Sequence, residues 1–279
     1  MRVAVCVKWV RDPDSPPQFT RALSRQNFPP TYIPSPIDLV ATELAVRLAQ
    51  GTPTADTTVV SAYCYGDASS EGVLRLAIAI GANKATRVES DGQMVNDPLA
   101  TALALSEAMS QEKPDVVLCG ERSPDFGSAF VPTAMATALQ ANIVRNVIAI
   151  ERCTPDSIVL RQRMPQGAQQ VVEASFPTVV AVLESAATPR YPSVRARMSA
   201  ERFEILVVVP RAGIRGSGLV LSTIKPPRPS RMIGPDPHLS AHERYELMLS
   251  AGLRQHTSSQ TIKGDLEAVA AELLGVLGK

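Results

Sequence analysis

The sequence predicts an α/β fold: a doubly wound, mostly parallel sheet with helices on both faces, an antiparallel extension and a C-terminal arm. Three observations carry this prediction. Short apolar runs alternate with helical segments through the first half of the chain, as in parallel sheets covered by helices. Four β-like runs joined by short polar breaks follow Asn142. From Val220 onward the chain is rich in proline (IKPPRPSRMIGPDP), which is typical of an extended arm.

The first half is predicted to hold four strands, each followed by a helix. The strands are expected at residues 2–8, 57–64, 85–88 and 115–119, and the helices at 38–50, 71–80, 97–111 and from about Phe130. Asp97 is a predicted N-cap, with Pro98 in the first turn. Residues 11–36 contain seven prolines, so we expect a long irregular excursion there, of a kind that is usually functional or partner-bound.

The second half is predicted to add strands to the sheet and then to form helices outside it. The runs at residues 143–151, 157–163, 169–174 and 178–183 predict the antiparallel extension, and 203–209 predicts one more strand. Ser240 and Glu243 form a capping-box pattern that opens a helix ending near Gly252. A final helix over 265–277 carries an apolar stripe made by Leu266, Val269, Leu273 and Leu277. A partner subunit or the chain's own domain must cover these apolar faces.

Composition limits the class of protein. The 279 residues are 45% hydrophobic and 20% charged, normal for a globular protein with a core, and the net charge of +1 indicates neither a nucleic-acid nor an anionic membrane partner. No apolar run approaches the roughly 20 residues of a membrane-spanning helix, and no signal-peptide pattern precedes the first strand. Cys6, Cys64 and Cys119 lie in strand-like runs and are predicted to be core thiols. We therefore expect a cytoplasmic protein without membrane insertion.

Catalytic and metal-binding motifs are missing from the sequence. It has no phosphate-binding GxxxxGK[ST] loop, no GxGxxG after the first strand, and no GxSxG or HExxH pattern. The glycines at 213–218 have the wrong spacing and are interpreted as a linker. No CxxC is present and all three histidines fall in the last fifth of the chain, so no metal site is expected. We expect neither a self-sufficient enzyme nor a metalloprotein.

The most informative segment is 114–139, PDVVLCGERSPDFGSAFVPTAMATAL. A buried strand ends at Gly120, a polar loop follows, and a helix restarts near Phe130. At such a place an α/β sheet can offer backbone N–H groups and a helix N-terminus to phosphate oxygens. Gly127 allows close backbone approach and Ser128 adds a hydroxyl. The alternative is an ordinary connection between a strand and a helix.

Several segments, taken in order, resemble the β subunit of electron transfer flavoproteins. Residues 3–8 with Val10 and Asp12 are similar to "VAVKxVxD", and residues 34–48 are similar to "NPxDxxAxEEAxRL". Residues 74–83 are similar to "LRxALAMGAD", residues 115–125 to "DLVLxGxxxxD", and residues 188–191 to "EPRY". The resemblance spans about residues 3–209. It implies a nucleotide-binding α/β domain over 1–210 and, over 211–279, a Pro-rich arm and helices that pack on a partner subunit.

The resemblance implies an electron carrier rather than an enzyme. Such a β subunit pairs with an α subunit that holds most of the FAD, accepts electrons from a flavoprotein dehydrogenase and passes them to a quinone reductase. It also carries a nucleotide of its own, AMP in ordinary members or a second FAD in bifurcating members with an NADH site. The implied cofactor-binding residues are Cys6, Val7, Ser35, Tyr65, Gly66, Gly120, Asp125, Gly127, Ser128, Ala129, Phe130 and Val131.

The chain departs from the family pattern at this site, and alternatives follow. Residues 126–132, FGSAFVP, replace "DDxNQTG" or "GDTAQVG", so AMP, a second FAD and an empty site all remain open. Ser35 replaces the usual Asn, and Tyr65 either stacks on an adenine or blocks the site. A third function is a free-standing adenine-nucleotide-binding sensor of the same architecture.

The segment after "PRY" resembles the family's partner-recognition loop. Its implied docking residues are Tyr191, Val194, Arg195 and Arg197, with Val194 in the place of an anchoring leucine. Ser199 and Glu201 stand where lysines are usual, which indicates a donor other than the common acyl-CoA dehydrogenases. The alternative is that Val194 only caps the sheet.

Overall fold

The computed structural model describes residues 1–12, 14, 31–51, 58–90, 97–211, 238–249, 267, 269 and 270. The chain divides into two compact units, Met1–Ile224 and Lys225–Lys279. The first unit holds the sheet and the helices that surround it.

The described residues form eleven strands and six α-helices. The strands are β1 (Arg2–Cys6), β2 (Trp9–Arg11), β3 (Tyr32–Pro34), β4 (Val59–Gly66), β5 (Lys84–Glu89), β6 (Val116–Gly120), β7 (Asn142–Cys153), β8 (Ser157–Arg163), β9 (Gln169–Ser175), β10 (Thr178–Val182) and β11 (Leu206–Val208). The helices are α1 (Pro36–Gly51), α2 (Glu71–Ile80), α3 (Pro98–Ser110), α4 (Val131–Ala138), α5 (Val194–Glu201) and α6 (Ala241–Leu249).

Nine of these strands form one sheet in the order β11-β5-β4-β1-β6-β10-β7-β8-β9. The strands from β11 to β7 pair in parallel, whereas β8 and β9 add an antiparallel end. The predicted α/β class, with a mostly parallel sheet and an antiparallel extension, is confirmed.

One predicted part of that extension is wrong. Residues 178–183 were expected among the antiparallel strands, but β10 lies between β6 and β7 and pairs in parallel with both. All five residues of β10 (TVVAV) are buried. An unbroken apolar run is typical of a strand covered on both faces, whereas an antiparallel edge shows alternation. Because only a short connection joins β9 to β10, the sequence suggested that β10 continues the antiparallel end, whereas the chain returns to the centre of the sheet.

Side-chain alternation along the strands builds two cores. Val3 and Val5 face the layer made by α1 and α2, whereas Ala4 and Cys6 face the layer made by α3 and α4. The same alternation in β6 places Cys119 on the α3 side. Helices therefore cover both faces of the sheet, as a doubly wound fold requires.

Local sequence rules explain several element ends. The Asp97 carboxylate accepts hydrogen bonds from the N–H groups of Leu99 and Ala100, which confirms the predicted N-cap. Gly81, at φ 135°, ends α2 in a conformation that favours glycine. The predicted strand at 203–209 is shorter than expected: β11 holds three residues and pairs with β5 at the edge of the sheet.

Part of the excursion predicted at 11–36 forms two paired strands. β2 and β3 pair antiparallel, with Trp9 opposite Pro34 and Val10 opposite Ile33. Residue 13 and residues 15–30 lie outside the described residues. The excursion therefore begins and ends in paired strands.

The cysteines are free thiols. Cys6, Cys64 and Cys119 are buried, which confirms that they are core residues, and Cys153 is partly buried. Burial raises the pKa of the Cys64 thiol to about 11. These side chains therefore remain protonated and pack as small apolar groups.

The second unit contains α6. The Ser240 hydroxyl accepts a hydrogen bond from the N–H of Glu243, and the Glu243 carboxylate accepts one from the N–H of Ser240, which confirms the predicted capping box. The predicted helix end near Gly252, the linker at 213–218, the Pro-rich arm and most of the helix at 265–277 lie outside the described residues. Among the residues described, no helix combines the length and the apolar character needed to cross a bilayer.

Candidate functional site

The candidate site lies where the sheet reverses its direction of growth. From β1 the chain adds β4 and β5 on one side, then returns to add β6 and β10 on the other. The connections after the carboxyl ends of β1 and β6 therefore lead to helices on opposite faces, α1 and α4, and leave a crevice of the kind where open α/β sheets bind ligands. A cavity of about 120 Å³ opens there.

Most of the predicted cofactor-binding residues meet at this cavity. Eight of the twelve line its wall: Cys6, Val7, Tyr65, Gly120, Ser128, Ala129, Phe130 and Val131. The other four, Ser35, Gly66, Asp125 and Gly127, are not part of the wall. The structure thus brings the ends of β1, β4 and β6 and the start of α4 to one place.

Lys8 is a wall residue that the sequence analysis did not single out. Its ammonium nitrogen lies 2.7 Å from a carboxylate oxygen of Asp125 and 5.2 Å from the centre of the Phe126 ring. Burial alone would raise the pKa of Asp125, but the hydrogen bonds and charge of Lys8, together with hydrogen bonds from Ser123 and the N–H of Phe126, outweigh burial and hold that pKa below its usual value. Lys8 therefore fastens the loop after β6 to the end of β1.

Asp38 is a second wall residue that was missed, and it is buried. Its Oδ1 accepts a hydrogen bond of 3.1 Å from the N–H of Gly120. Burial raises the pKa of Asp38 to about 7, although the N–H of Gly120 and the charge of Lys8 oppose that shift. A carboxyl group that titrates near neutrality therefore faces the cavity.

Gly120 is required for this approach. A Cβ atom there would lie 2.5 Å from Asp38 Oδ1 and 2.5 Å from Cγ2 of Ile37. Because such distances are far below van der Waals contact, any other residue would push the start of α1 away from β6. The glycine thus serves packing against α1 as well as the path of the chain beside the cavity.

Ser35 lies behind the wall rather than in it. Its N–H donates to the carbonyl of Lys8 over 3.0 Å, which joins the start of α1 to the end of β1. Its hydroxyl is fully buried and has no hydrogen bond of regular geometry within the described residues. The same Ser35 hydroxyl lies beside the Asp38 carboxyl, opposes the rise that burial causes in the pKa of Asp38 and so favours its ionised form. Ser35 therefore acts on the cavity through Lys8 and Asp38.

The loop before α4 is shaped by left-handed backbone. Gly127 has φ 60° and Ala129 has φ 52°. The Ser128 hydroxyl accepts a hydrogen bond from the N–H of Phe130 over 3.5 Å. Pro132 removes one of the N–H groups at the helix start, so Val131 and Thr133 supply the donors there. This geometry suits an anion that is bound through backbone groups.

An ion pair between a buried carboxylate and a partly exposed arginine closes the neighbouring side of the site. The Glu121 carboxylate directly follows β6 and binds the guanidinium of Arg145 on β7 through two nitrogens. Its other oxygen accepts from the N–H of Asn146 over 3.1 Å. Glu121 and Arg122 also line the cavity. The end of β6 is therefore fixed on both sides, by Asp38 and by Arg145.

Comparison with known proteins gives the family. The model of the electron transfer flavoprotein domain matches residues 30–211, more than half of the chain. The chain belongs to the electron transfer flavoprotein family. The resemblance found in the sequence is thereby confirmed.

The most similar relatives include β subunits of this family. The electron transfer flavoprotein subunit beta of Syntrophomonas wolfei is 33% identical over 174 residues, 60% of this chain and 64% of that protein. The subunit of the same name from Megasphaera elsdenii is 29% identical over 219 residues, 74% of this chain and 77% of that protein. Protein FixA of Sinorhizobium fredii is 28% identical over 250 residues, 82% and 84% of the two chains. The alignment thus spans slightly less than two thirds of the Syntrophomonas protein.

The predicted docking residues of this family member lie on an exposed segment. Tyr191 is 85% exposed and Val194, the first residue of α5, is 75% exposed. The alternative that Val194 caps the sheet is wrong, because its side chain points into solvent. The guanidinium of Arg197 lies 4.7 Å from the centre of the Tyr191 ring, and Arg195 is exposed beside it. Met198, 62% exposed and one turn after Val194, extends the apolar surface and was missed.

Proposed function

We propose that this chain is the β subunit of a heterodimeric electron transfer flavoprotein, with a structural adenine nucleotide in the cavity between β1 and β6. In this role it pairs with an α subunit that holds most of the FAD. The heterodimer lies in the cytoplasm, accepts electrons from a flavoprotein dehydrogenase and passes them to a quinone reductase. The observation that carries the proposal is the family match together with eight predicted residues at one cavity.

The wall chemistry supports an adenine nucleotide. Tyr65 offers a ring for the base, and the Asp38 carboxyl can accept from a ribose hydroxyl. Lys8 and the N–H groups before α4 offer donors to a phosphate. Recognition thus needs one aromatic wall, one acceptor and one cationic end.

The size of the cavity supports a mononucleotide. At about 120 Å³ it is smaller than the roughly 300–1,000 Å³ of most ligand pockets. A second FAD needs far more room than a mononucleotide. We therefore propose AMP rather than a second FAD.

The FAD supplies the electron-accepting and electron-donating chemistry when it is bound in the heterodimer. The proposed tasks of this chain are to bind the α subunit, to hold the AMP and to present the segment around α5 to the donor. None of these tasks needs a catalytic acid, base or nucleophile. The chain is accordingly proposed to be an electron carrier subunit without substrate turnover of its own.

Co-expression with an electron transfer flavoprotein α subunit tests the proposal. The purified heterodimer is expected to contain one flavin, identified by absorbance, and one AMP, identified after acid release by chromatography. Expressed alone, the chain is expected to be colourless or poorly soluble. Two flavins per heterodimer would support the bifurcating type, and bound AMP without flavin in a stable monomer would support a sensor module.

A further inference from the structure

Glu43 is a buried carboxylate in the middle of α1, away from the cavity. It is only 1% exposed, and within the described residues its carboxylate accepts hydrogen bonds from two arginines alone. One oxygen accepts from the backbone N–H and the Nε of Arg190, over 3.1 and 2.8 Å. The other accepts from Arg190 Nη2 over 3.2 Å and from Arg47 Nε over 2.6 Å. The four acceptor positions of the carboxylate are thus filled.

Arg190 immediately precedes the docking residue Tyr191. Further contacts with α1 hold the same stretch: Arg47 Nη2 donates to the carbonyl of Thr188 over 3.2 Å, and Arg190 Nη2 donates to Gln50 Oε1 over 3.3 Å. Residues 43, 47 and 50 lie on one stripe of α1. A single helix face therefore fixes the entry of the docking segment.

The far end of the docking segment is fixed in a similar way. Arg75 of α2 donates through Nη1 to the carbonyls of Ala200, Glu201 and Phe203, over 3.0, 2.7 and 3.2 Å. Between the two ends, the Ser193 hydroxyl accepts from the N–H of Ala196 over 3.2 Å and caps α5. The exposed side chains are thus carried on a backbone that is held at both ends.

We infer that Glu43 is a positioning residue, which sets the conformation of residues 187–198 before a partner protein arrives. Burial alone would raise its pKa, but the hydrogen bonds from Arg190 and Arg47 outweigh that effect and lower it, so the carboxylate is ionised at neutral pH. A segment that is already ordered loses less conformational entropy when it docks. The inference rests on the docking role proposed above for this segment.

Hydrogen–deuterium exchange in the purified heterodimer tests the positioning directly. Glu43→Gln keeps the size of the side chain but removes its charge and half of its strong acceptor positions. Backbone amides at 190–198 are expected to exchange roughly tenfold faster, while those of β1, β4 and β6 keep their rates. Arg190→Gln, whose side chain is partly exposed, is expected to give the same local result and serves if the first variant does not fold.

Glu151→Gln is the matched control, because Glu151 pairs with Arg161 at the surface of the antiparallel end. In Glu151→Gln, the backbone amides at 190–198 are expected to exchange at the wild-type rate. Unchanged exchange at 190–198 in Glu43→Gln and Arg190→Gln, or an equal rise throughout the sheet, would overturn the inference.

Kinetics with a flavoprotein dehydrogenase that reduces the wild-type heterodimer give the second measurement. Glu43→Gln is expected to raise roughly tenfold the heterodimer concentration that half-saturates the dehydrogenase, and to leave the limiting rate of electron transfer unchanged. A fall in the limiting rate alone would contradict positioning. If no dehydrogenase reduces the wild type, the proposed function fails, whereas the exchange measurement still decides the role of Glu43.

Discussion

The ammonium nitrogen of Lys8, which lines the cavity, lies 2.7 Å from a carboxylate oxygen of Asp125. Lys8 follows β1 and Asp125 lies in the loop after β6, so the pair ties together the two sides of the crevice. The same ammonium group lies over the Phe126 ring. A phosphate entering the cavity therefore meets a cation that already holds the loop in place.

Removing that cation is expected to weaken nucleotide binding. In Lys8→Met, AMP affinity measured by calorimetry on nucleotide-free heterodimer should fall about ten- to a hundredfold, because a charge-assisted hydrogen bond contributes about 1.5–3 kcal/mol. Lys84→Met is the matched control, since Lys84 pairs with Glu112 at the opposite end of the sheet. Equal affinities for Lys8→Met and Lys84→Met would show that Lys8 does not contact the nucleotide.

The left-handed loop gives a second prediction. Gly127→Val is expected to lose the nucleotide, because a β-branched residue is strained at φ 60°, although its nearest neighbour, the Ser123 carbonyl oxygen, leaves ordinary space. Gly127→Asn should retain it, since asparagine tolerates this conformation. Gly167→Val places the same kind of strain at φ 80° in the distant hairpin and should also retain the nucleotide. Full occupancy in Gly127→Val would place the binding site elsewhere.

Gly120 and Gly51 form a pair for testing packing. Gly120→Ala is expected to lower the free energy of unfolding by about 1–3 kcal/mol in urea denaturation, because its Cβ would overlap Asp38 and Ile37. A Cβ at Gly51, the last residue of α1, meets nothing within 4 Å, so Gly51→Ala should be neutral or slightly stabilising. A neutral Gly120→Ala would mean that the start of α1 moves freely.

Asp38 predicts a pH dependence whose sign follows from its raised pKa. Between about pH 4, where an exposed aspartate titrates, and pH 7, the native protein keeps a proton that the unfolded chain loses. The contribution of Asp38 to the free energy of unfolding therefore falls as pH rises through this range, by up to about 1.4 kcal/mol per pH unit.

The variant Asp38→Asn removes this dependence while keeping an oxygen for the N–H of Gly120. Its free energy of unfolding, relative to wild type, is expected to increase from pH 5 to pH 7 and to level off above. Subtracting the wild-type curve cancels the other titrating groups. A difference that stays constant between pH 5 and pH 8 would contradict the raised pKa.

Val194 predicts an effect on docking alone. Val194→Ala is expected to raise the half-saturating concentration for the donor dehydrogenase about five- to thirtyfold, corresponding to 1–2 kcal/mol of buried apolar contact. Flavin content and heterodimer stability should not change. Val171→Ala, which truncates an exposed valine on β9, is the control. Unchanged transfer kinetics at sub-saturating protein would exclude Val194 as the anchor.

Local sequence patterns were sufficient to predict those elements whose ends are set by residues next to them in the sequence. The helix predicted at 71–80 is α2 as observed, because the turn at 68–70, capped by Asp67, and Gly81 mark its two ends. The strand predicted at 178–183 also exists, but its predicted pairing was wrong. An apolar run of five residues does not determine which strands it pairs with. Pairing depends on the path of the whole chain.

The same limit applies to the candidate site. Cys6, Gly120 and Ser128 follow from strand ends and family motifs, and they do line one cavity. The Lys8–Asp125 pair joins residues that are 117 positions apart, and Glu43 and Arg190 are 147 apart. Charged side chains are normally solvated at the surface, so only the fold shows which of them are buried together.

The central position of β10 has a consequence for how the chain acquires its structure. β6 pairs with β1 on one side and with β10 on the other, and β7 reaches the sheet only through β10. During synthesis from the N-terminus, the edge of β6 therefore stays without a neighbour until residues 178–182 have emerged, and β7 to β9 have no place to attach. A long-range step of this kind slows folding and exposes an apolar strand edge that favours aggregation. When β10 pairs with β6, it completes the sheet and covers the exposed strand edge of the nascent chain.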